Sequence, residues 1–202
     1  MPMAWQSYLE RAQGGSIDIV GPYFQPAQQV YEEPVVFVDR GAAYRKGREG
    51  FSVGDGDSAA ETLDHRIPGD KNISDLAFVL GCLPDRFHQV RLLGFLGGRR
   101  DHELFNFGEA HHFLKGRPYP QRVLIDDKAV GHAAGSWQLE LSGVFSLAVL
   151  ETALVTLHGN VRYSLPQPTE IKPLSSLGLS NVASGSVGIH SNQPFFVFSE
   201  QP

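Results

Sequence analysis

Residues Phe51-Ser52-Val53-Gly54-Asp55-Gly56-Asp57-Ser58 run from a short apolar stretch directly into a turn rich in glycine and aspartate. Val35–Val38 ends in the same way at Asp39, and Val90–Phe95 leads into Gly97-Gly98-Arg99-Arg100-Asp101-His102. Short runs rich in β-branched and aromatic residues, bounded by glycine and aspartate, predict buried strands. The strands of the first half are therefore expected to end in polar turns.

Helix-like segments alternate with these strands. Ser74–Leu83 has apolar residues at helical spacing and Ser74 as the predicted N-cap, and His102–Lys115 has similar spacing. Further strands are predicted at Ile17–Val20 and Arg122–Ile125. Alternating strands and helices are typical of crossover connections between parallel strands. The first half therefore predicts an α/β domain with a mostly parallel sheet.

The pattern changes after about residue 131. Strand-length pieces follow, rich in Val, Leu, Phe and Thr and separated by Gly, Pro, Ser and Asn, without a convincing helix among them. They are Ser136–Leu141, Val144–Leu150, Ala153–His158, Val161–Leu165, Ser186–His190 and Phe195–Phe198. This pattern is typical of an antiparallel, sandwich-like domain. We therefore predict two domains, α/β over residues 1–130 and all-β over residues 131–202.

The composition argues against several classes of protein. The chain has 17 Lys and Arg against 22 Asp and Glu, and this net charge of −5 argues against a nucleic-acid binder. The single cysteine, Cys82, excludes an internal disulfide and a cysteine-based zinc site. Residues 1–15 lack the apolar core of a signal peptide, and polar residues interrupt the most apolar stretch, residues 137–157. We expect a cytoplasmic protein without a membrane span.

Acidic residues follow three of the predicted strands. Parallel strands present their carboxyl ends at one edge of a sheet, where ligands bind. Asp39, Asp55, Asp57 and Asp101 are therefore expected to meet at that edge, and Asp75, at the start of a predicted helix, can join them. Two carboxylates ~5 Å apart repel by about 3 kcal/mol at an effective dielectric constant near 20. A cation is expected among them.

The residue types around this edge favour a particular cation and substrate. Carboxylate oxygens, without paired cysteine or histidine motifs, favour Mg²⁺ over zinc or copper. A carboxylate-held Mg²⁺ keeps positions open for substrate phosphates, and Lys71 and Arg99 supply positive charge for them. The pattern therefore suits transfer of a phosphate-containing group from ATP.

Each motif alone also has a purely structural interpretation. Gly54–Ser58 can be a turn whose aspartates bind backbone amides, and Asp70-Lys71 can be a solvated turn. Asp101 can be the N-cap of the helix that follows it. The joint occurrence of three such loops favours a ligand site. The chain has neither a Walker-type phosphate loop nor a dinucleotide-binding fingerprint, so it matches neither of these nucleotide-binding classes.

Four motifs occur together in an order and spacing that mark one enzyme family. They are Gly54-Asp55-Gly56-Asp57-Ser58, Asp70-Lys71-Asn72-Ile73-Ser74-Asp75, Gly97-Gly98-Arg99-Arg100-Asp101-His102 with Asn106, and Gly178-Leu179-Ser180-Asn181. In this combination the chain resembles the thiamine pyrophosphokinases over roughly residues 35–198. The resemblance implies an ATP- and Mg²⁺-binding α/β domain, a C-terminal β-sandwich, and a homodimer with thiamine in a cleft between the subunits.

The resemblance also implies roles for individual residues. Four aspartates would be catalytic, and the first three of them would hold the metal: Asp55, Asp57, Asp75 and Asp101. The nucleotide side would include Asp39, Lys71, Arg99 and His102, and the thiamine pocket would include Tyr163, Ser180 and Asn181.

The chain departs from the family pattern at several points: Ser74 replaces a threonine, and the stretch between Ser58 and Asp70 is shorter than usual. Arg40 replaces a glycine after the early strand, Gly56 replaces a large aromatic residue, and Tyr163 is the nearest match to an aromatic residue of a late strand. The predicted function is transfer of diphosphate from Mg·ATP to the hydroxyl of thiamine, which yields thiamine diphosphate and AMP. Two alternatives stay open: a diphosphokinase for another hydroxymethyl heterocycle such as a pterin, and a non-catalytic protein that binds a nucleotide or thiamine.

Overall fold

The computed structural model describes residues 4–56, 62–70 and 72–199. These residues form two compact units, one that ends at Phe113 and one that begins at Leu114. The predicted domains, residues 1–130 and 131–202, stay a prediction. Among the described residues, no helix is long and apolar enough to cross a membrane.

The first unit is built on parallel strands. Its elements are α1 (Trp5–Arg11), β1 (Ser16–Val20), β2 (Val35–Val38), a 3₁₀ helix (Asp39–Tyr44), β3 (Phe51–Gly54), β4 (His65–Arg66), α2 (Asp75–Cys82), β5 (Gln89–Leu93) and α3 (Arg100–Lys115), whose last turn enters the second unit. The strand order is β5-β1-β2-β3-β4, and each neighbouring pair is parallel. Four of the predicted first-half strands are therefore parallel neighbours, whereas the fifth, Arg122–Ile125, belongs to the second unit and pairs antiparallel with the strand Ala129–His132.

Burial explains why these strands are almost wholly apolar. Every residue of β2 and β3 is buried, and in β1 only the first residue is partly exposed. Parallel strands that are covered on both faces have this near-continuous apolar pattern instead of an alternating one. The buried side chains of Val20, Phe37 and Leu93 belong to one cluster of the core.

The second unit is antiparallel. Its strands are β6 (Arg122–Ile125), β7 (Ala129–His132), β8 (Gly135–Val149), β9 (Ala153–Val161), β10 (Leu165–Ile171), β11 (Asn181–Ser191) and β12 (Phe195–Ser199). The strand order is β10-β9-β11-β8-β12-β7-β6, with antiparallel neighbours throughout. The antiparallel pairing expected of a sandwich-like domain is present. The described strands of this unit form one hydrogen-bonded series, and side chains from β8 to β12 share one apolar core.

Two strand predictions in this unit were wrong. The expected break after Leu141 is absent, because Gly143, at φ 84, adopts a backbone that other residues rarely take, and β8 continues past it. The predicted strand Val161–Leu165 is instead the end of β9, a short turn and the start of β10. Strand β10 was not predicted because it contains Pro166 and Pro168, which usually argue against a strand. Prolines are tolerated here because β10 lies at the edge of its sheet.

Candidate functional site

The carboxyl edge of the parallel sheet contains a reversal of strand order. β1 lies between β2 and β5, and the chain proceeds outward through β2, β3 and β4 before it returns to β5 on the other side of β1. Loops that leave two such strands diverge, and the crevice between them is the usual ligand site of an open α/β sheet. The loops that follow β1 and β5 therefore form the first part of the candidate site.

Glycines bring these two loops into direct contact. A Cβ on Gly94 would lie 2.1 Å from the backbone nitrogen of Phe24, and a Cβ on Gly98 would lie 2.1 Å from the ring of Tyr23. The N–H of Tyr23 also donates to the carbonyl of Gly94 at 3.0 Å. The Tyr23 ring therefore covers Gly98, immediately before Arg99. Tyr23 was not among the predicted site residues, because its contact depends on how closely two loops that are distant in the chain approach each other.

The first two acidic residues lie on neighbouring strand ends. Asp39 directly follows β2 and has a left-handed backbone, with φ 53. A Cβ on Gly54, the last residue of β3, would lie 3.3 Å from the Cα of Asp39, and Asp55 comes next in the chain. Both aspartates are partly exposed. The structure thus brings Asp39 and Asp55 to the same edge, as the strand pattern predicted.

The turn after β3 is held by an arginine from the neighbouring strand. The Nε of Arg66 donates to the backbone oxygen of Asp55 at 2.9 Å. Gly56 has φ 81, and a Cβ there would lie 3.2 Å from the Arg66 guanidinium. Backbone conformation and the Arg66 contact together explain why a glycine occupies a position where the resemblance implied an aromatic residue. Asp57, Ser58 and Lys71 lie outside the described residues.

Asp75 begins the helix that was predicted from Ser74. Ser74 is the N-cap, and its hydroxyl accepts from the N–H of Ala77 at 3.0 Å, so the predicted cap is confirmed. Helix α2 contacts β3, the strand that leads to Asp55. A carboxylate in the first turn also suits the helix dipole, which is a sufficient structural reason for an acidic residue there.

The three predicted metal ligands are only partly within the described structure. Among the described residues, no group of three His, Cys, Asp or Glu side chains is arranged to hold a metal ion. Asp55 and Asp75 are described and partly exposed, whereas Asp57 falls in the gap after residue 56. The metal site of Asp55, Asp57 and Asp75 stays a prediction.

Arg99 and Asp101 form an exposed, two-point ion pair at the start of α3. Nη2 of Arg99 lies 2.5 Å from Oδ2 of Asp101, and Nε lies 3.1 Å from Oδ1. The hydrogen bond from Arg99 lowers the pKa of Asp101, so the carboxylate is ionised. Exposed ion pairs contribute little to stability, so both groups can exchange this contact for a ligand. Since α3 begins at Arg100, Asp101 lies in its first turn and is not the N-cap.

A pocket of about 310 Å³ lies in the second unit. Its lining is largely apolar and consists of Phe145, Leu147, Leu157, Tyr163, Leu165, Ile171, Ser176, Leu177, Gly178, Leu179 and Asn181. Two of the three residues predicted for the thiamine pocket, Tyr163 and Asn181, line it, and the third, Ser180, lies between Leu179 and Asn181 in the chain. Tyr163 is 57% exposed, so its ring is accessible in the described chain.

Asn181 is buried and holds the backbone around this pocket. Its Oδ1 accepts from the N–H groups of Tyr163 and Val182 at 3.0 and 2.8 Å, and its Nδ2 donates to the carbonyl of Tyr163 at 2.7 Å. Ser180 precedes it with φ 57, and its N–H donates to the hydroxyl of Ser146 at 3.0 Å. Asn181 therefore fixes the position of Tyr163.

The chain is an α/β protein with acidic turns at the carboxyl edge of its parallel strands, and an antiparallel β unit follows. Thiamine pyrophosphokinase from Bacillus subtilis has a similar structure, with a TM-score of 0.68 and 20% identity over 93% of this chain and 100% of that chain. The enzymes from Geobacillus thermodenitrificans and Candida albicans both give TM-scores of 0.67. The former is 25% identical, over 92% of this chain and 98% of its own. The latter is 12% identical, over 94% and 89%.

No family model and no curated protein matches the sequence. The likeness therefore lies in the fold, which this chain shares with thiamine pyrophosphokinases over nearly its whole length at low sequence identity. The resemblance predicted from the four motifs is confirmed, and the chain is divergent from these structures.

Proposed function

We propose that this chain is a thiamine pyrophosphokinase, which transfers diphosphate from Mg·ATP to thiamine. The observation that carries the proposal is the arrangement at the carboxyl edge, in a chain with this fold. Asp39 and Asp55 lie on neighbouring strand ends there, and Arg99 follows the loop that leaves β5. The same edge is where open α/β sheets bind their ligands.

The donor chemistry of this edge fits a hard divalent cation. Mg²⁺ prefers carboxylate oxygens and keeps several positions for water and substrate phosphates. In the proposal Asp55, Asp57 and Asp75 hold the ion, which neutralises charge on the polyphosphate. Asp39 and Lys71 are the further residues proposed to bind the nucleotide.

Arg99 and Asp101 have separate roles in the proposed reaction. Arg99 leaves Asp101 and contacts the phosphates, for which its planar guanidinium is well suited. The thiamine hydroxyl oxygen forms a bond to the β-phosphorus, and the bond from that phosphorus to the oxygen shared with the α-phosphate breaks, so AMP leaves. Asp101 orients the hydroxyl, whose proton passes to the carboxylate or to solvent, and His102 lies beside the phosphates. Catalysis then comes mainly from positioning and charge neutralisation.

The pocket of the second unit is the proposed site of thiamine. A mostly apolar pocket with one exposed aromatic ring suits a flat heterocycle, which stacks on tyrosine. Tyr163 and Asn181 line it with an aromatic and a polar side chain, and the proposal also assigns Ser180, which lies between the lining residues Leu179 and Asn181, to the thiamine site. Leu177 and Leu179, which also line the pocket, are exposed at 54% and 62%. Exposed apolar groups of this kind mark interaction surfaces, which supports the proposed homodimer.

The direct test is to incubate the purified protein with ATP, MgCl₂ and thiamine. We expect AMP and thiamine diphosphate to form in equal amounts, and only when Mg²⁺ is present. If ATP is bound but no AMP forms with thiamine, the proposed acceptor is wrong.

A second candidate acceptor is another hydroxymethyl heterocycle, such as a pterin. The observation that favours it is Gly56, where Arg66 approaches a position that the resemblance assigns to an aromatic residue. AMP release from a panel of hydroxymethyl heterocycles separates the two acceptors. Tight binding of ATP and thiamine without turnover of any acceptor would instead indicate a non-catalytic binding protein.

A further inference from the structure

The loop between β5 and α3 is fastened by a glutamate that the proposed reaction does not use. Glu103 lies one turn into α3, and its Oε1 accepts from the N–H of Gly97 at 2.7 Å. Its Oε2 accepts from Nη1 of Arg100 at 2.8 Å. The bonds from Arg100 and Gly97 lower the pKa of Glu103, so it is ionised. Its side chain is 16% exposed against 90% for Arg100, so the carboxylate is held inside the turn.

Two glycines of this loop, Gly94 and Gly97, have left-handed backbones, with φ of 79 and 90. The shape of the loop just before Arg99 therefore depends on the orientation of the Gly97 peptide. The loop is also held at Phe95, whose carbonyl accepts from Nδ2 of Asn106 at 2.8 Å. At Gly98, the residue after Gly97, the Tyr23 ring occupies the space beside the backbone. Glu103 thus holds a peptide that lies two residues before Arg99 and helps to set the direction of the chain there.

We infer that Glu103 is a positioning residue for nucleotide binding, an assignment that rests on the proposed function. It holds the Gly97 amide with a charge-assisted hydrogen bond and so directs Arg99 towards the phosphates. Because the Glu103 carboxylate already accepts from the Gly97 N–H, that amide does not bind a phosphate. The Arg99 side chain contacts the phosphates instead. The hydrogen bond reaches back six residues, from Glu103 to Gly97, whereas a capping box spans three, so no standard sequence motif indicates it.

The test compares Glu103→Ala, Glu103→Gln and, as the matched control, Leu104→Ala, an exposed neighbour on the same helix. ATP affinity is measured by calorimetry in MgCl₂ without thiamine, and KM and kcat are measured with thiamine. We expect Glu103→Ala to weaken ATP binding and raise its KM about tenfold, with a smaller change in kcat. Glu103→Gln retains an oxygen that accepts from Gly97, so it should stay within about threefold of the unmodified protein. Leu104→Ala should match the unmodified protein.

The outcomes separate this inference from the proposed reaction. Unchanged ATP affinity in Glu103→Ala overturns the positioning role, even if thermal stability falls. Tighter binding also overturns it and shows that Glu103 competes with phosphate for the Gly97 amide. If ATP binding weakens as expected in Glu103→Ala but the unmodified protein forms no AMP, the reaction is wrong and the positioning role stands. Absence of ATP binding by the unmodified protein refutes both.

Discussion

Asp18 and Arg91 lie opposite each other on the paired strands β1 and β5, with Oδ1 of Asp18 3.5 Å from Nε of Arg91. The aspartate is almost completely buried, and its Oδ2 accepts from the N–H of Glu32 at 2.7 Å. Arg91 in turn donates from Nη2 to the carbonyl of Val30 at 2.7 Å. The pair therefore ties the connection between β1 and β2 to the sheet.

Asp18 should make the protein more resistant to mild acid. Burial raises its pKa from 3.8 to about 6, so between these values the folded state binds more protons than the unfolded state. The contribution of Asp18 to stability therefore grows as the pH falls from about 6 to about 4. Asp18→Asn removes this contribution and should lose stability faster over that window, by up to about 1.4 kcal/mol per pH unit. Urea unfolding at pH 4, 5, 6 and 7 measures this difference, and parallel stability curves would contradict it.

His132 should have the opposite effect. Its Nδ1 lacks a hydrogen-bond partner among the described residues, and its ring centroid lies 4.4 Å from that of Trp137 and 5.0 Å from that of Phe195. Burial lowers its pKa from 6.5 to about 3, so the unfolded state binds more protons in this range. Stability is therefore lost as the pH falls from 6.5 towards 3.

The variant His132→Leu tests this by removing the titrating group from an apolar site. At pH 7 its free energy of unfolding should be within about 1.5 kcal/mol of that of the unmodified protein, because the volumes are similar. In the same urea series it should lose less stability below pH 6. An unchanged acid slope would show that His132 does not stay neutral in the folded state.

The meeting of acidic residues at the carboxyl edge of the parallel sheet could be predicted, because it follows from the strand topology. Parallel strands end on one side of a sheet, so the approach of Asp39 and Asp55 required only that β2 and β3 be recognised and be neighbours. The N-cap at Ser74 could also be predicted, because capping depends only on residues next to one another in the sequence. Whether Asp57 and Lys71 join these residues stays a prediction, because both lie outside the described residues.

Other features depend on contacts that spacing does not encode. The ring of Tyr23 covers Gly98, and a contact between two loops so far apart in the chain has no local sequence signal. β10 was missed because its prolines argue against a strand, and only its place at the edge of the unit's sheet permits them. The length of β8 was missed because Gly143 was treated as a break in the strand.

Two glycines should respond to alanine in opposite directions. At Gly56 the left-handed backbone and the nearby Arg66 guanidinium should make Gly56→Ala destabilising by about 1 kcal/mol. Gly81 lies in α2, and a Cβ there meets nothing within 4 Å, so Gly81→Ala should stabilise by roughly 0.5–1 kcal/mol through higher helix propensity. Thermal unfolding of the two variants side by side measures both effects. Equal shifts in Tm would contradict the assigned backbone of the turn after β3.

The proposed metal carboxylates should affect turnover much more than folding. Asp55→Asn and Asp75→Asn each remove a negative ligand from a partly exposed position, so AMP formation should fall by at least about 100-fold while Tm changes little. More Mg²⁺ should be needed to reach half of the residual rate. The control is Asp127→Asn in the β6–β7 turn, where φ 52 suits asparagine. Full activity in both site variants would remove the case for a carboxylate-held ion at this edge.

Substitution of Asn181 should weaken binding of the acceptor and leave binding of the nucleotide unchanged. Asn181→Ala removes three hydrogen bonds that hold Tyr163 and Val182, so it should lower the free energy of unfolding by about 2 kcal/mol and raise the KM for thiamine. The KM for ATP should not change. Asn160→Ala is the matched control, because that exposed side chain makes a single 3.1 Å bond to the carbonyl of Ser184, and its effect should stay within about 0.5 kcal/mol. If Asn181→Ala loses stability with an unchanged KM for thiamine, the pocket beside Tyr163 does not bind the acceptor.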